Sequence, residues 1–362
     1  MNIKARLEEL NIPDVLAPFG SKITTKEEFE SIKPMIKELV QKEEYGYIPN
    51  EPESISVEVL ETNNRFCAGK SSFTKYRLSA IVNGEELSFV FYSSIPTKVE
   101  GKIPAFIHIN FRDSLPDQYQ PNEEIVDRGY AVFTVCYKDV TSDDGDFNDK
   151  CAPVLCKDRN DPHAPGKIAM WSWAARRVLD YVMTIDKIDK DWIGVIGHSR
   201  LGKTALLTAA FDERLKFVCV NNSGSSGDAL ARGKDGEDIE AITNRFPFWF
   251  CPKYKEYSKR ENELPFDQHF MHALVVPRYI LIGTAEEDEW ADPKNEFLAL
   301  TLANPVYALY GEEGLIHGEE VPTAPAKLQE GDRCSFHLRH GLHYLSREDW
   351  NAYIDFVDAR RK

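Results

Sequence analysis

The stretch that most constrains this chain is Trp192 to Lys203, WIGVIGHSRLGK. An apolar run, Ile193 to Ile196, meets Gly197-His198-Ser199-Arg200-Leu201-Gly202, and a helix-forming segment continues from Lys203 to Asp212. Strand, sharp turn carrying a serine, then helix is the pattern of a nucleophile elbow. The turn needs glycine before the serine because the backbone there is strained and crowded, and a second glycine lets the helix pack close under the strand. The spacing is G-x-S-x-x-G, so Leu201 falls where a small residue is usual. A serine hydroxyl is a weak nucleophile at neutral pH. The elbow therefore carries chemistry only if the rest of the chain supplies a base, an acid and an oxyanion site.

The 362 residues suffice for a sizeable core, as one large α/β domain or two ordinary ones. Apolar residues at 42% and charged residues at 28% argue against general disorder. The net charge of −15, without a long basic run, speaks against a nucleic-acid or anionic-membrane partner. Any anion site must then be a local cluster of Arg and Lys. The N-terminus mixes charges every few residues and shows no leader-like apolar segment, and no stretch is long enough to span a bilayer. The seven cysteines form no C-x-x-C pair. Cys151 and Cys156 flank a proline-containing loop and could pair, but a reduced, cytoplasmic protein is the expectation.

Residues 1–50 read as helical and polar, with Thr24-Thr25-Lys26-Glu27-Glu28 as a cap-like start, and are expected to form a cover on a catalytic domain spanning 51–362. From Ile55 to Pro96 three strand-like runs follow, the last two joined at Asn83-Gly84, a hairpin signal. IPAFIHIN (103–110) and AVFTVCY (131–137) are continuous apolar runs expected of strands covered on both faces. Residues 138–166 are loop-like and long enough to suggest a functional rim or an insertion. Lys167 to Met183 has the spacing of a buried helix. After the elbow come a strand at 217–224, an excursion over 225–276 with the aromatic cluster Phe246 to Phe250, and strands expected at 279–285 and 305–311. A last helix starts at Arg347. Antiparallel strands leading into alternating strand and helix give the fold class: α/β, a three-layer α/β-hydrolase sandwich with a mostly parallel central sheet.

In the hydrolase chain order the base comes last. His343, in the G-x-H element of HLRHGLHYLSREDW, stands where it belongs. His337, His340 and His343 also form an H-x2-H-x2-H string, but a strand-to-loop segment does not hold that spacing on one face. No metal or other cofactor is called for, and His337 and His340 read as ordinary hydrogen-bonded surface residues. The acid is expected in the loop after the penultimate strand, GTAEEDEWADP, where Glu286, Glu287, Asp288, Glu289 and Asp292 compete.

The residues resemble a family. Gly197-His198-Ser199-Arg200-Leu201-Gly202-Lys203 is similar to the G-x-S-R-x-G-K signature of the glucuronoyl esterases, carbohydrate esterase family 15. These enzymes cleave esters of 4-O-methyl-glucuronic acid that link xylan to lignin. His198 stands where the fungal members usually carry cysteine. The resemblance runs from about residue 103 to the C-terminus, takes in LPFDQH (264–269), DEW (288–290) and the terminal G-x-H, and looks closest to bacterial members. It implies Ser199 as nucleophile, His343 as base, and Arg200 as oxyanion stabiliser through its N–H and guanidinium. Lys203 and Glu237 would meet sugar hydroxyls, and Trp290 would pack or hydrogen-bond at the sugar. Cations at a helix N-terminus oppose the macrodipole, which weakens a purely structural reading of Arg200 and Lys203.

One departure matters. Many members place the catalytic glutamate just after the strand following the elbow helix, and here that position is Asn222, which carries no charge. Asp288, two residues before Trp290, matches the family's later acid site best, with Glu287 second; Asn222 is then expected to matter little. The second oxyanion donor is expected near Phe111, in a loop that lacks the H-G-G run of lipases. The leading expectation is a serine esterase acting on uronate esters by an acyl-enzyme route. A deacetylase of xylan or oligosaccharides, and a catalytically silent sugar-binding relative, are the alternatives. A cytoplasmic member would meet imported oligosaccharides or small uronate esters.

Overall fold

Ten strands form a single sheet in the computed structural model, which describes residues 1–328 and 332–361. They are β1 Ser54–Phe66, β2 Ser71–Val82, β3 Glu85–Pro96, β4 Ile103–Asn110, β5 Ala131–Cys136, β6 Ile188–His198, β7 Phe217–Asn221, β8 Tyr279–Ala285, β9 Ala326–Leu328 and β10 Cys334–Arg339. Their order is β1-β2-β3-β5-β4-β6-β7-β8-β10-β9. From β5 to β10 neighbouring strands run parallel, and β1 to β3 add an antiparallel meander at one edge. Asn83 and Gly84 turn the β2–β3 hairpin with φ of 52° and 77°, the left-handed pair that a tight two-residue turn requires.

Every residue of β4, β5, β7, β8 and β10 is buried, as expected where helices cover both faces of a parallel sheet. Alternate residues of β4 enter different cores. Ala105, Ile107 and Ile109 pack with the helices Lys167–Val182 and Arg200–Phe211. Phe106 joins the opposite core with Ile125, Trp350, Tyr353 and Val357, the last three from the helix Arg347–Arg360. This period of two is the pleat of a strand and produces the three layers.

The run 305–311, expected as a strand, is instead the helix Asn304–Leu309. Pro305 sits in its first turn, where no N–H is needed, and Val306 and Tyr307 carry the strand-like character that misleads. The sheet is continued by β10, CSFHLR, parallel to β8, with short β9 at the edge. Residues 1–50 hold the helices Ile3–Leu10 and Lys26–Val40, the second started by a Thr25/Glu28 capping box. Phe29, Ile36, Val40 and Tyr45 are fully buried in the core of the helical layer, and Tyr45 Oη donates to the Ser226 carbonyl at 2.8 Å.

The chain leaves β4 to build β5 on one side and later β6 on the other. At such a switch the loops beyond the carboxyl ends of the strands diverge and leave a crevice. Register draws those loops together. Ser199 N–H donates to the Asn221 carbonyl, Asn222 N–H to Gly283, and Glu286 N–H to Arg339, at 2.8 to 2.9 Å. The ends of β6, β7, β8 and β10 thus meet around one point.

Candidate active site

Ser199 sits between β6 and its helix with φ 59° and ψ −129°, a left-handed conformation costly for a residue with a Cβ. Its strain is held by the bond to Asn221 and by Gly202 and Lys203 N–H groups donating to its carbonyl at 2.8 and 3.1 Å. A Cβ on Gly197 would lie 2.0 Å from the Leu201 carbonyl oxygen, and one on Gly202 would lie 2.9 Å from Ser223 Cβ. Both glycines are required by close approach. Leu201 is fully buried in the core, so the longer elbow spacing places an apolar anchor inside and the glycine at the contact with β7.

His343 Nδ1 lies 2.6 Å from Asp288 Oδ2. A carboxylate only accepts, so Nδ1 carries the proton and Nε2 is left with a lone pair for Ser199, which lines the same cavity of about 330 Å³. Asp288 is the acid that touches the histidine. Burial alone would raise its pKa, but the hydrogen bond and charge of His343, with the Asn222 amide, outweigh this and hold it below the ordinary carboxylate value. Glu286 is paired with His340, Asp292 caps the helix Pro293–Thr301, and Glu287 and Glu289 are exposed.

Asn222, expected to matter little, touches the Asp288 carboxylate. Its Nδ2 donates to Asp288 Oδ2 at 2.7 Å, and the residue is buried with φ 44°. Asp288 Oδ2 therefore accepts from two donors, His343 and Asn222.

Arg200 N–H stands in the first turn of the elbow helix, where the helix offers it no carbonyl. Its guanidinium pairs through Nη1 with Asp143 and lies 4.6 Å from the Trp249 ring, while its buried Nε has no partner among the described residues. Asp143 also accepts from Trp249 Nε1 at 2.8 Å and Tyr137 Oη at 3.0 Å. The guanidinium is thus fixed in place before any substrate arrives. The N–H of Phe111, expected as a second donor, is taken by the Asn110 side chain at 2.8 Å.

Lys203 lies beneath the cavity. Nζ donates to the Ser223 carbonyl and, at 2.5 Å, to that of Ser225, with Glu237 Oε2 4.0 Å away. Burial lowers its pKa, and Glu237 opposes the shift. Two of its three protons pin the β7 turn, so one remains for a ligand. Glu237 and Trp290 line the same cavity, and Trp290 is half-exposed rather than core.

Several cavity neighbours had escaped the sequence reading. Asp143 comes from the long 138–166 segment, and the excursion supplies Arg245, Phe246 and Trp249, the last two stacked at 3.8 Å. Only the aromatic cluster was a visible signal. His198 is buried, with its ring 4.5 Å from that of His343. Asn221 Nδ2 donates to the Gly283 carbonyl, so its Oδ1 accepts, and His198 Nδ1 carries the proton at 2.6 Å. Burial, then the adjacent His343, push the His198 pKa well down and keep the ring neutral.

His337, expected as a hydrogen-bonded surface residue, is instead buried in β10, 3.6 Å from Glu348 and with neither ring nitrogen hydrogen-bonded among the described residues, while His340 is exposed and paired with Glu286. No group of three His, Cys, Asp or Glu residues suited to a metal ion occurs among the described residues. All seven cysteines are free, Cys151 and Cys156 included. No helix among the described residues is long and apolar enough to cross a membrane. The LPFDQH string lies apart from the cavity: Asp267 receives Ala231 N–H and Arg232, and Gln268 reaches Glu44, fastening the excursion to the core.

The profile of the family described as "Glucuronyl esterase, fungi" matches residues 78–311. "Carbohydrate esterase MZ0003", from an unknown prokaryotic organism, is 39% identical over 242 residues, 65% of this chain and 55% of the relative's length. The 4-O-methyl-glucuronoyl methylesterase of Neurospora crassa is 26% identical over 302 residues, 81% of this chain and 71% of that protein. The solved glucuronoyl esterase of Solibacter usitatus superposes with a TM-score of 0.87 at 29% identity, covering 97% of this chain and 98% of that one. With the sheet, the elbow and the extent of these matches in agreement, the chain belongs to the glucuronyl esterase family.

Proposed function

We propose that this protein is a serine esterase that hydrolyses esters of (4-O-methyl-)glucuronic acid through an acyl-enzyme. The observation that carries the reading is the His343 Nδ1 to Asp288 contact of 2.6 Å at the wall of the Ser199 cavity. Ser199 Oγ attacks the ester carbonyl as His343 Nε2 takes its proton. The oxyanion forms beside Arg200, whose first-turn N–H has no carbonyl within the helix and whose Nε has no partner among the described residues. His343 then protonates the leaving alcohol, deprotonates a water for attack on the acyl-enzyme, and returns a proton to Ser199 as the uronic acid leaves.

The charge arrangement favours this acyl group. Although the chain carries a net charge of −15, Arg200, Lys203 and Arg245 gather at the cavity against Glu237 and Asp288. Cations suit the developing oxyanion, and the Lys203–Glu237 pair offers a donor and an acceptor to vicinal hydroxyls. An acetyl group would use little of the cavity. Initial rates on methyl and benzyl glucuronate, compared with acetylated sugars, test the reading; faster turnover of acetyl esters would replace it with a deacetylase. Ser199→Ala should abolish turnover, and absence of a fluorophosphonate adduct on Ser199 in the folded protein would favour a silent sugar-binding relative.

A further inference from the structure

His198 ends β6 one residue before Ser199 and is buried, at 2% exposure. A buried strand end is ordinarily filled by an apolar side chain, because an imidazole must first be stripped of water. Here two polar side chains satisfy one another instead. His198 Nδ1 donates to Asn221 Oδ1 at 2.6 Å, and Asn221 Nδ2 donates to the Gly283 carbonyl at 3.1 Å. Two apolar residues of similar shape would serve folding about as well, so stability alone does not explain the pair.

The ring makes a second set of contacts. Its centroid stands 4.5 Å from that of His343, with 43° between the planes. Tyr119 stacks on it at 5.4 Å, and Phe111 meets it edge-on at 6.1 Å. With Nδ1 bonded and its surface packed, the His198 ring is fixed. His343 is held far less. It lies on an exposed stretch after β10, its side chain 43% accessible, and its Nδ1 is bonded to Asp288. One hydrogen bond sets a direction but leaves the ring free to turn about it. The angle of Nε2 toward Ser199 therefore depends on what packs against the ring, and His198 supplies that packing.

We propose that His198 is a positioning residue for the base: its imidazole, locked by Asn221 and Tyr119, sets the rotation of the His343 ring and is its aromatic partner while it carries the Ser199 proton. This rests on the reading of Ser199 and His343 as nucleophile and base. A fixed wall matters because proton transfer tolerates little angular error, and a displacement of about 1 Å at a reacting group slows a reaction on the order of a hundredfold. The uncharged state of His198 suits the same role. Burial, and then His343 itself, hold the ring neutral, whereas a second imidazolium would oppose the proton that His343 must accept.

Two substitutions separate the ring from the hydrogen bond. His198→Gln keeps a donor for Asn221 and removes the ring; His198→Phe keeps a ring and removes the donor. The Gln variant is expected to lower kcat on methyl glucuronate about tenfold, with KM within about twofold of native. The Phe variant should recover most of that loss although it melts lower, having left Asn221 without its donor. The rate of fluorophosphonate labelling of Ser199, which needs the base but no particular ester, should follow the same order. A Gln variant with native kcat and native labelling rate would overturn the proposal. So would a Phe variant as slow as the Gln variant, which would leave His198 a structural partner of Asn221. Native protein that takes the label in this order but cleaves no uronate ester would support the proposal and strike the choice of substrate. No adduct on native Ser199 would overturn the nucleophile reading and the proposal together.

Discussion

Asn222 offers a direct test of how the acid is held. Asp288 Oδ2 accepts from His343 Nδ1 at 2.6 Å and from Asn222 Nδ2 at 2.7 Å, both on a residue that is only 5% exposed. A hydrogen bond to a buried carboxylate contributes roughly 1.5–3 kcal/mol. If Asp288 must be ionised and aligned to stabilise the imidazolium, deleting the amide should lower kcat by about 10- to 150-fold, with little change in KM. Asp288→Ala removes the acceptor itself and should cost about 10³- to 10⁴-fold. Alanine at 222 also meets a φ of 44°, which costs roughly 1 kcal/mol of stability. Asn222→Gly separates the two effects, because glycine accepts that backbone and still lacks the amide. Without Nδ2 the Asp288 pKa rises toward the ordinary carboxylate value, so activity in both variants should fail at a higher pH on the acid side. Steady-state kinetics from pH 4 to 9 with thermal melts provide the readout. An Asn222→Gly enzyme with native kcat and native acid limb would refute the reasoning, as would an Asp288→Ala enzyme within tenfold of the native one.

Asp143→Asn weakens the clamp on the Arg200 guanidinium and should lower kcat about tenfold, the loss of one charge-assisted contact; unchanged kinetics would remove the guanidinium, though not the N–H, from oxyanion stabilisation. Gly197→Ala forces a Cβ to within 2.0 Å of the Leu201 carbonyl, and should abolish a folded elbow, seen as insoluble protein or a melting temperature lowered by many degrees. Glu44 is fully buried, and burial raises its pKa from 4.5 to about 8, against the Gln268 hydrogen bond. Between those values the folded chain binds a proton that the unfolded chain releases, so stability falls as pH rises, by on the order of 3 kcal/mol at pH 7. Glu44→Gln removes that dependence and offers a donor to the unpartnered Gln268 Oε1. The variant should melt higher than the native protein at pH 8 and nearly equal to it at pH 5; a pH-independent difference would count against a protonated Glu44.

The family and the fold class were legible because they rest on local patterns. A strained serine turn can be built only with glycines at fixed spacing, and strands covered on both faces announce themselves as unbroken apolar runs. That His343 would line the cavity of Ser199 was legible from chain order alone. The 305–311 error has a local cause too, since aromatic and β-branched residues look alike in a buried strand and on a short buried helix. Among five acids in one loop, however, spacing could favour Asp288 but not exclude its neighbours.

The rest belonged to tertiary structure. Asp143, Trp249 and Glu237 come from long segments without periodicity, and nothing in their own surroundings tells which of many polar residues will reach Arg200 or Lys203. Asn222 read as a lost acid because its partner lies 66 residues away, brought to it by the pairing of β7 with β8. The sequence by itself determined the strained serine turn, the late histidine near it and the sheet that carries them, because backbone geometry and burial impose those patterns locally. Only the folded chain decided which carboxylate faces His343, what holds that carboxylate, and which ring packs against the histidine, because those contacts join segments whose positions are set by strand order and register.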